Sequence, residues 1–338
     1  MLNTSHFDAS KPDDLALAAE LLRRGKLVAF ATETVYGLGA NALSAEAVAG
    51  IFEAKQRPLW DPLIVHLASV EQLGQLAQVP VGLEERVRAL AEAFWPGPLT
   101  LLLPRTAEVP NAVTAGRDLV GVRVPAHPAA RALLAAVGLP IAAPSANRFG
   151  HTSPTTAAHV LADLDGRIDA VLDAGPTSIG VESTVLDPTQ TPMVLYRPGA
   201  VTAEQLTAVT GVAVEVFLPL ADAEPASLPS PGVGIRHYAP RARLVLVDGL
   251  VEAVRVGVDA AGGAKVGVLL PAGWALERDA VVERWGRWDD LETLAAGLFA
   301  GLRALDDRGV AVIVCPLPKA GGLGDAIRDR LEKAARTN

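Results

Sequence analysis

Short apolar runs alternate with amphipathic segments along the first two thirds of the chain. An apolar run predicts a buried strand, and apolar residues three and four positions apart predict a helix that buries one face. The predicted strands are 27–31, 63–67, 99–103, 119–124, 141–143, 170–173 and 183–187. The predicted helices are 13–25, 45–55, 83–94, 129–137 and 156–164. Because strands and helices follow one another irregularly, we expect an α/β fold with a twisted mixed sheet flanked by helices.

Near the C-terminus the alternation is more regular. Strands are predicted at 243–247, 265–270, 281–285 and 310–315, and helices at 290–306 and 324–335. Between the two blocks, residues 218–234 are rich in Pro, Ala and Ser, which is typical of a linker. We therefore expect an N-terminal domain at 1–217, a linker at 218–241, and a smaller Rossmann-like α/β domain at 242–338.

Composition and charge narrow the possible functions. Of the 338 residues, 50% are apolar and 20% are charged, which indicates a globular protein and excludes bulk disorder. The net charge of −8 argues against a protein held to nucleic acid mainly through phosphate contacts, but it leaves room for a local basic pocket. The single cysteine, Cys315, excludes an internal disulfide and a multi-cysteine zinc site. Without a long apolar run or a signal-peptide pattern, we expect a cytoplasmic protein with no membrane partner.

Polar segments follow several predicted strands, and each has an ordinary structural explanation beside a functional one. Segment 32–39 reads TETVYGLG and suits a small polar ligand, but a turn with a capping threonine explains it as well. Lys55 and Arg57 are suited to phosphates, and cations also favour a helix C-terminus. His66 is either a ligand-binding residue or a core histidine.

Three further segments leave the same choice open. Segment 144–155 offers hydroxyls, an amide and backbone N–H groups to a phosphate, or it caps the next helix. Ser183 fits a binding site or a strand start, and Arg197 is a third cation or a solvated arginine. No P-loop, dinucleotide fingerprint, HExxH motif or GxSxG motif accompanies them.

The combination and order of the motifs resemble one family. The motifs are TETVYGLG (32–39), KQRP (55–58), PLIVH (62–66), FWPGPLT (94–100), VRVPAHP (122–128), APSAN (143–147), GVESTV (180–185) and RPG (197–199). Together they are similar to those of the YrdC-like family of threonylcarbamoyl-AMP synthases. The motif SPGVGIRHYAP (230–240) and the α/β block after it resemble the long, two-domain form of that family.

This resemblance implies an activity. Family members are nucleotidyltransferases that join L-threonine, bicarbonate and ATP into L-threonylcarbamoyl-AMP and release pyrophosphate. Mg²⁺ normally accompanies the triphosphate. A separate transferase complex then moves the threonylcarbamoyl group onto tRNA.

The resemblance also implies the residues of the site. The ATP-binding set is Lys55, Arg57, Asp61, Leu119, Ser145, Asn147, Ser153, Arg197 and His237. The L-threonine-binding set is Thr34, His66, Arg123, the backbone of Ala143, and Ser183. No side chain is an obvious covalent nucleophile, so we expect catalysis through positioning and charge stabilisation.

Four positions depart from the family pattern. Gln56 replaces a glycine, Asp61 an asparagine, Ala31 a proline, and Ile235 an aromatic residue. Asp61 matters most, because a carboxylate beside phosphates is unfavourable unless it meets Mg²⁺ or points away.

The end of the linker is predicted to act as a lid. Residues Arg236, His237 and Tyr238 offer polar groups that can close over the N-terminal pocket. A lid would exclude water from a labile mixed anhydride. A passive spacer is the alternative.

Two other functions stay open at this point. YrdC-like domains have also been interpreted as double-stranded RNA binders, which the net charge of −8 disfavours. Carbamoyl-transfer enzymes that contain a YrdC-like domain carry zinc-finger cysteines, whereas this chain has only Cys315.

Overall fold

A computed structural model describes residues 3–218 and 237–336. These residues form two compact units. The second unit contains the described residues from His237 onward together with Gly150–Ser153 and Ile179–Val181, and the first unit contains the others. Most of the predicted linker, including Ile235 and Arg236, lies outside the described residues, so the lid and the domain boundaries stay predictions.

The first unit combines many short strands with short helices. Its strands are β1 (Ser5–Asp8), β2 (Val28–Ala31), β3 (Tyr36–Asn41), β4 (Ile64–His66), β5 (Leu99–Pro104), β6 (Leu119–Arg123), β7 (Ile141–Ala142), β8 (Ala170–Asp173), β9 (Thr184–Asp187), β10 (Met193–Arg197) and β11 (Val214–Val216). Its helices are α1 (Pro12–Arg23), α2 (Ala45–Lys55), α3 (Leu73–Leu76), α4 (Glu84–Phe94), α5 (Asn111–Thr114), α6 (Pro128–Val137), α7 (Ala157–Leu164) and α8 (Ala203–Thr210).

The sheet of the first unit is mixed and is buried on both faces. Within the described residues the strand order is β1-β8-β2-β3-β7-β4-β6-β5-β9-β10-β11. Strand β2 pairs in parallel with β8 and antiparallel with β3. Val28 and Phe30 pack in the same apolar cluster as residues of α1 and α6, whereas Ala29 and Ala31 pack with residues of α2 and α7. The predicted fold class is therefore confirmed.

The second unit is a small parallel α/β structure. Its strands are β12 (Arg243–Val247), β13 (Val266–Ala272), β14 (Val281–Arg287) and β15 (Val312–Pro316), and its helices are α9 (Val251–Asp259), α10 (Leu291–Asp307) and α11 (Leu323–Ala335). The strand order is β12-β15-β13-β14, and the pairings are parallel, as predicted. Buried Trp285 of β14 donates its indole N–H to the Leu294 carbonyl at 2.6 Å and so ties the sheet to α10. In the described parts of the chain, no helix combines the length and hydropathy that a bilayer crossing requires.

The hydrophobic pattern did not predict several elements, among them β1, β3, β10, β11 and α9. Strand β3 overlaps segment 32–39, which the sequence analysis interpreted as a polar ligand-binding segment or a turn. A Cβ at Gly39 would come within 2.9 Å of Phe30 and 3.0 Å of Ile141. Glycine is thus required for close packing inside the sheet and does not mark a turn here.

Helix α2 is followed directly by a residue with a left-handed backbone. Ser44 caps its N-terminus by accepting the N–H of Ala47, and Gln56 follows its last residue with φ of 55° and ψ of 40°. A side chain in this region crowds the following carbonyl oxygen, whereas glycine adopts it readily. The family glycine that Gln56 replaces is explained by this conformation.

Replacing Gln56 with glycine should therefore stabilise the protein. We expect Gln56→Gly to raise the free energy of unfolding by about 1 kcal/mol, because it removes left-handed strain of about 1–2 kcal/mol at some cost in chain entropy. Urea denaturation followed by circular dichroism measures the change. The matched control is Ala49→Gly at an exposed position inside α2, which should lower the value by about 1 kcal/mol. Equal destabilisation by both variants would contradict the backbone explanation.

Candidate active site

The turn after β2 is built from its own hydroxyl groups. Thr32 Oγ1 donates to the Val35 carbonyl at 2.7 Å and accepts the N–H groups of Thr34 (3.2 Å) and Val35 (3.3 Å). Its proton is thus committed, so Thr34 Oγ1, 2.8 Å away, donates to it. The turn with a capping threonine is present, and it fixes the side chain of Thr34 in a buried position.

Arg123, the last residue of β6, is bound on several sides. Its Nε donates to the Gly97 carbonyl at 3.0 Å, and its Nη1 donates to Thr34 Oγ1 at 3.0 Å. Its Nη2 forms an ion pair with Glu33 Oε1 at 2.5 Å. Because Arg123 is only 3% exposed, these contacts fix the direction in which the guanidinium faces.

Two titratable side chains, Glu33 and His66, lie beside this arginine, and the pKa of each is lowered. Burial by itself raises the pKa of Glu33, but the Arg123 charge and its hydrogen bond outweigh burial and hold the pKa below its usual value. His66 lies opposite Arg123 in the β4–β6 register. Burial, reinforced by Arg123, lowers the pKa of His66 to about 3. At neutral pH, Glu33 is therefore ionised and His66 is neutral.

Ser183, from the predicted threonine-binding set, contacts a residue of the predicted ATP-binding set. Its Oγ lies 2.8 Å from Thr100 Oγ1. Arg197 donates from Nε to the Ser183 carbonyl at 2.9 Å and from Nη2 to Ser183 Oγ at 3.1 Å. Arg197 is 4% exposed, so the interpretation as a solvated arginine is wrong. A predicted ATP-binding residue thus contacts a predicted threonine-binding residue directly.

Lys55 is the last residue of α2, where a cation is favoured, and its side chain is buried. Its Nζ donates to the carbonyl oxygens of Ser145 and Asn147, each at 2.5 Å, and the side chain is 1% exposed. Burial, together with the charge of Arg57, shifts the pKa of Lys55 downward. The ammonium group therefore ties the end of α2 to the loop of residues 144–149.

Backbone hydrogen bonds attach the same loop to β3. The N–H of Leu38 donates to the Pro144 carbonyl at 2.7 Å, and the N–H of Ala146 donates to the Tyr36 carbonyl at 2.8 Å. The loop is thus fixed by β3 on one side and by Lys55 on the other. Its Ser145 and Asn147 stay close to the basic side chains as a result.

Arg57 and Asp61 form a buried ion pair. Arg57 Nη2 lies 2.9 Å from Asp61 Oδ2, and it also donates to the Pro62 carbonyl at 2.7 Å. Burial raises the pKa of Asp61, while the charges of Arg57, Lys55 and Arg197 act against that rise. Asp61 stands where the family pattern has asparagine, and its negative charge is paired with Arg57 of the same chain. Asp61 balances part of the positive charge that these three cations bring together.

The remaining predicted residues have more ordinary surroundings. Leu119 is half-buried and packs against the small cluster of Ile64, Leu102 and Val185. Ala143 is buried and donates its N–H to the Ile64 carbonyl at 2.9 Å. Both belong to the first unit, as do all the side chains described above.

Ser153 and His237 belong to the second unit. Both are buried, with exposed fractions of 0% and 6%. His237 precedes Tyr238, whose backbone is left-handed with φ of 64°. The Tyr238 ring stacks on Phe299 at 5.8 Å between centroids, and the Arg330 guanidinium lies 5.4 Å from its centre.

Two polar residues of the site escaped the sequence reasoning. Glu33 lies within the TETVYGLG motif but was not assigned a role, and Thr100 ends the FWPGPLT motif. The position of Glu33 between two apolar strands could have identified it, because a carboxylate there is expected to be buried and buried charges are usually paired. No local signal identifies Thr100, since its hydroxyl partner is 83 residues away in the chain.

Comparisons with known proteins show which family the chain belongs to. The Sua5, YciO and YrdC family model, described as telomere recombination, matches residues 20–199, and a model described as threonylcarbamoyl-AMP synthase, C-terminal domain, matches residues 201–336. The threonylcarbamoyl-AMP synthase of Pyrococcus abyssi is 44% identical over 95% of this chain and 94% of its own length. That of Bacillus subtilis is 47% identical over 95% and 92%.

A solved structure extends the similarity to three dimensions. The crystal structure of P. abyssi Sua5 complexed with L-threonine is 44% identical, covers 98% of this chain and 97% of that chain, and gives a TM-score of 0.89. The chain therefore belongs to the Sua5, YciO and YrdC family, in its two-domain threonylcarbamoyl-AMP synthase form.

Proposed function

We propose that this chain, as a nucleotidyltransferase, joins L-threonine, bicarbonate and ATP into L-threonylcarbamoyl-AMP and releases pyrophosphate. The observation that carries the proposal is the direct contact between Arg197 and Ser183. Arg197 is one of the buried cations suited to a triphosphate, and Ser183 is one of the residues assigned to the amino acid. Two substrates that must react need such adjacent sites, because positioning removes much of the entropic barrier.

The threonine site is proposed to lie around Arg123. A guanidinium binds a carboxylate through paired, charge-assisted hydrogen bonds. The neutral imidazole of His66 can accept a hydrogen bond from the substrate hydroxyl without adding a second positive charge. Thr34, Ser183 and the Ala143 backbone supply the other polar groups.

The ATP site is proposed to lie around the buried cations. Arg57 and Arg197 supply positive charge to the phosphates, and Lys55 contributes by fixing the loop that carries Ser145 and Asn147. Leu119 and Asp61 complete the part of the proposed set that belongs to the first unit, and the nucleotide-binding roles of Ser153 and His237 stay predictions. Withdrawal from water strengthens the attraction of these cations for phosphates.

The chemistry then needs no covalent intermediate with the enzyme. Threonine and bicarbonate give the N-carboxylate, water and one proton. An oxygen of that carboxylate attacks the α-phosphorus of ATP, and pyrophosphate leaves. Fixed cations stabilise the charge that develops on the phosphates, and they do not reorient during the reaction.

Mg²⁺ is proposed to enter with the triphosphate. Mg²⁺ keeps several waters and commonly binds one or two carboxylates together with substrate phosphates. Among the residues that the structure describes, no three His, Cys, Asp or Glu side chains are grouped to bind a metal ion. We assign the ion to the triphosphate and its waters, because Asp61, the carboxylate beside the buried cations, is already paired with Arg57 at 2.9 Å. Such an ion would neutralise phosphate charge.

The product is proposed to pass to a separate transferase complex that modifies tRNA in the cytoplasm. A mixed anhydride of a carbamate and a phosphate is labile in water. A partner that accepts the threonylcarbamoyl group must therefore act soon after release.

Activity should depend on all three substrates. With ATP, bicarbonate and L-threonine, we expect pyrophosphate release and threonylcarbamoyl-AMP detectable by mass spectrometry. Arg197→Met should lower the rate by about 10- to 150-fold, the effect of losing a charge-assisted contact. Arg243→Met, at an exposed position of the second unit, should leave it unchanged. Threonine-independent pyrophosphate release would contradict the proposal, and salt-sensitive tRNA binding without turnover would favour an RNA-binding protein.

Lys55→Met should damage both the loop and the ATP site. The free energy of unfolding should fall by about 1–3 kcal/mol, because two buried carbonyls lose their donor. The Michaelis constant for ATP should rise as well. Lys26→Met, at an exposed position, is the matched control and should change neither quantity. If Lys55→Met weakens ATP binding at unchanged stability, the ammonium group acts on the phosphates alone.

A further inference from the structure

Glu33 raises a question that the proposed reaction does not answer. Its carboxylate forms an ion pair with the guanidinium to which the substrate carboxylate is assigned. The two side chains are 8% and 3% exposed, so water screens the pair weakly. A negative charge has been placed beside a site that must attract a negative group.

The arrangement suits a ligand that carries both charges. A buried arginine without a partner attracts any anion, and the proposed reaction uses bicarbonate and a triphosphate beside the amino acid. Glu33 neutralises much of the Arg123 charge and repels a simple anion. An α-amino acid differs from those anions because its ammonium group lies close to its carboxylate and offsets the repulsion.

Glu33 also holds the arginine in place. Arg123 donates to the Gly97 carbonyl from Nε and to Thr34 from Nη1, and Glu33 takes up Nη2. The turn of Thr32 and Thr34 fixes the backbone of Glu33 in turn. Two separate parts of the chain, residues 33–34 and Gly97, therefore set the orientation of one guanidinium.

We propose that Glu33 is a positioning and specificity-determining residue: its charge reserves Arg123 for an amino-acid zwitterion against anions that lack an ammonium group. The inference rests on the proposed threonine site at Arg123. It does not require that Glu33 touch the substrate. Glu33 acts through Arg123 and through the local potential.

Calorimetry with the full chain tests this inference. The probes are L-threonine and 2,3-dihydroxybutanoate of matching configuration, in which a hydroxyl replaces the amine. The wild type should bind threonine at least tenfold more tightly. In Glu33→Gln, threonine should bind about tenfold more weakly, as expected for losing a charge-assisted interaction, and the hydroxy acid should bind more tightly. The kcat at saturating threonine should change less than the Michaelis constant.

Matched variants separate this role from a general structural one. Glu33→Asp keeps the charge and should restore most of the preference for threonine. Glu108→Gln, at an exposed position, should leave both affinities unchanged. If Glu33→Gln binds both probes more weakly by the same factor, Glu33 has no role in specificity.

The wild type alone also provides a test, which matters if Glu33→Gln does not fold. Equal affinity of the wild type for threonine and for the hydroxy acid would overturn the inference while leaving the proposed reaction intact. Failure of the wild type to bind threonine at all would instead overturn the proposed function.

Discussion

The ammonium group of Lys55 is withdrawn from water and bound between the carbonyl oxygens of Ser145 and Asn147. An isolated buried charge costs several kcal/mol, so these contacts must be kept in the folded chain. They fix the distance between the end of α2 and the loop after β7. That loop is also bonded to β3, which carries the Thr34 turn at its start. Lys55 and β3 together thus connect the loop of the proposed ATP site with the Thr34 turn of the proposed threonine site.

Charge neutralisation within the first unit follows the same logic. Asp61 faces Arg57 at 2.9 Å, and Glu33 faces Arg123 at 2.5 Å. Lys55 and Arg197 donate to neutral oxygens, those of the loop and of Ser183. At the proposed threonine site Glu33 offsets the charge of Arg123, and at the proposed ATP site Asp61 offsets part of the charge of Lys55, Arg57 and Arg197.

The sequence predicted the apolar strands and the polar loops well, because both depend on local composition. It did not predict which polar groups meet. Lys55 contacts a carbonyl 90 residues away, and Arg123 contacts a hydroxyl 89 residues away. The burial of Lys55 and Arg197 could not be predicted either, because the sequence does not show whether the fold removes a cation from water. Strand β3 was missed because Gly37 and Gly39 are typical of turns until the close approach of Phe30 and Ile141 is known.

Threonine and ATP are proposed to bind side by side in one buried site, in contact through Arg197 and Ser183. The most direct measurement is the threonine affinity of the full chain with and without a non-hydrolysable ATP analogue. Ordering of the shared residues by one ligand should favour the other, so we expect the analogue to tighten threonine binding by about fivefold or more, and threonine to tighten analogue binding by the same factor. A threonine affinity that is independent of the nucleotide would contradict a shared site.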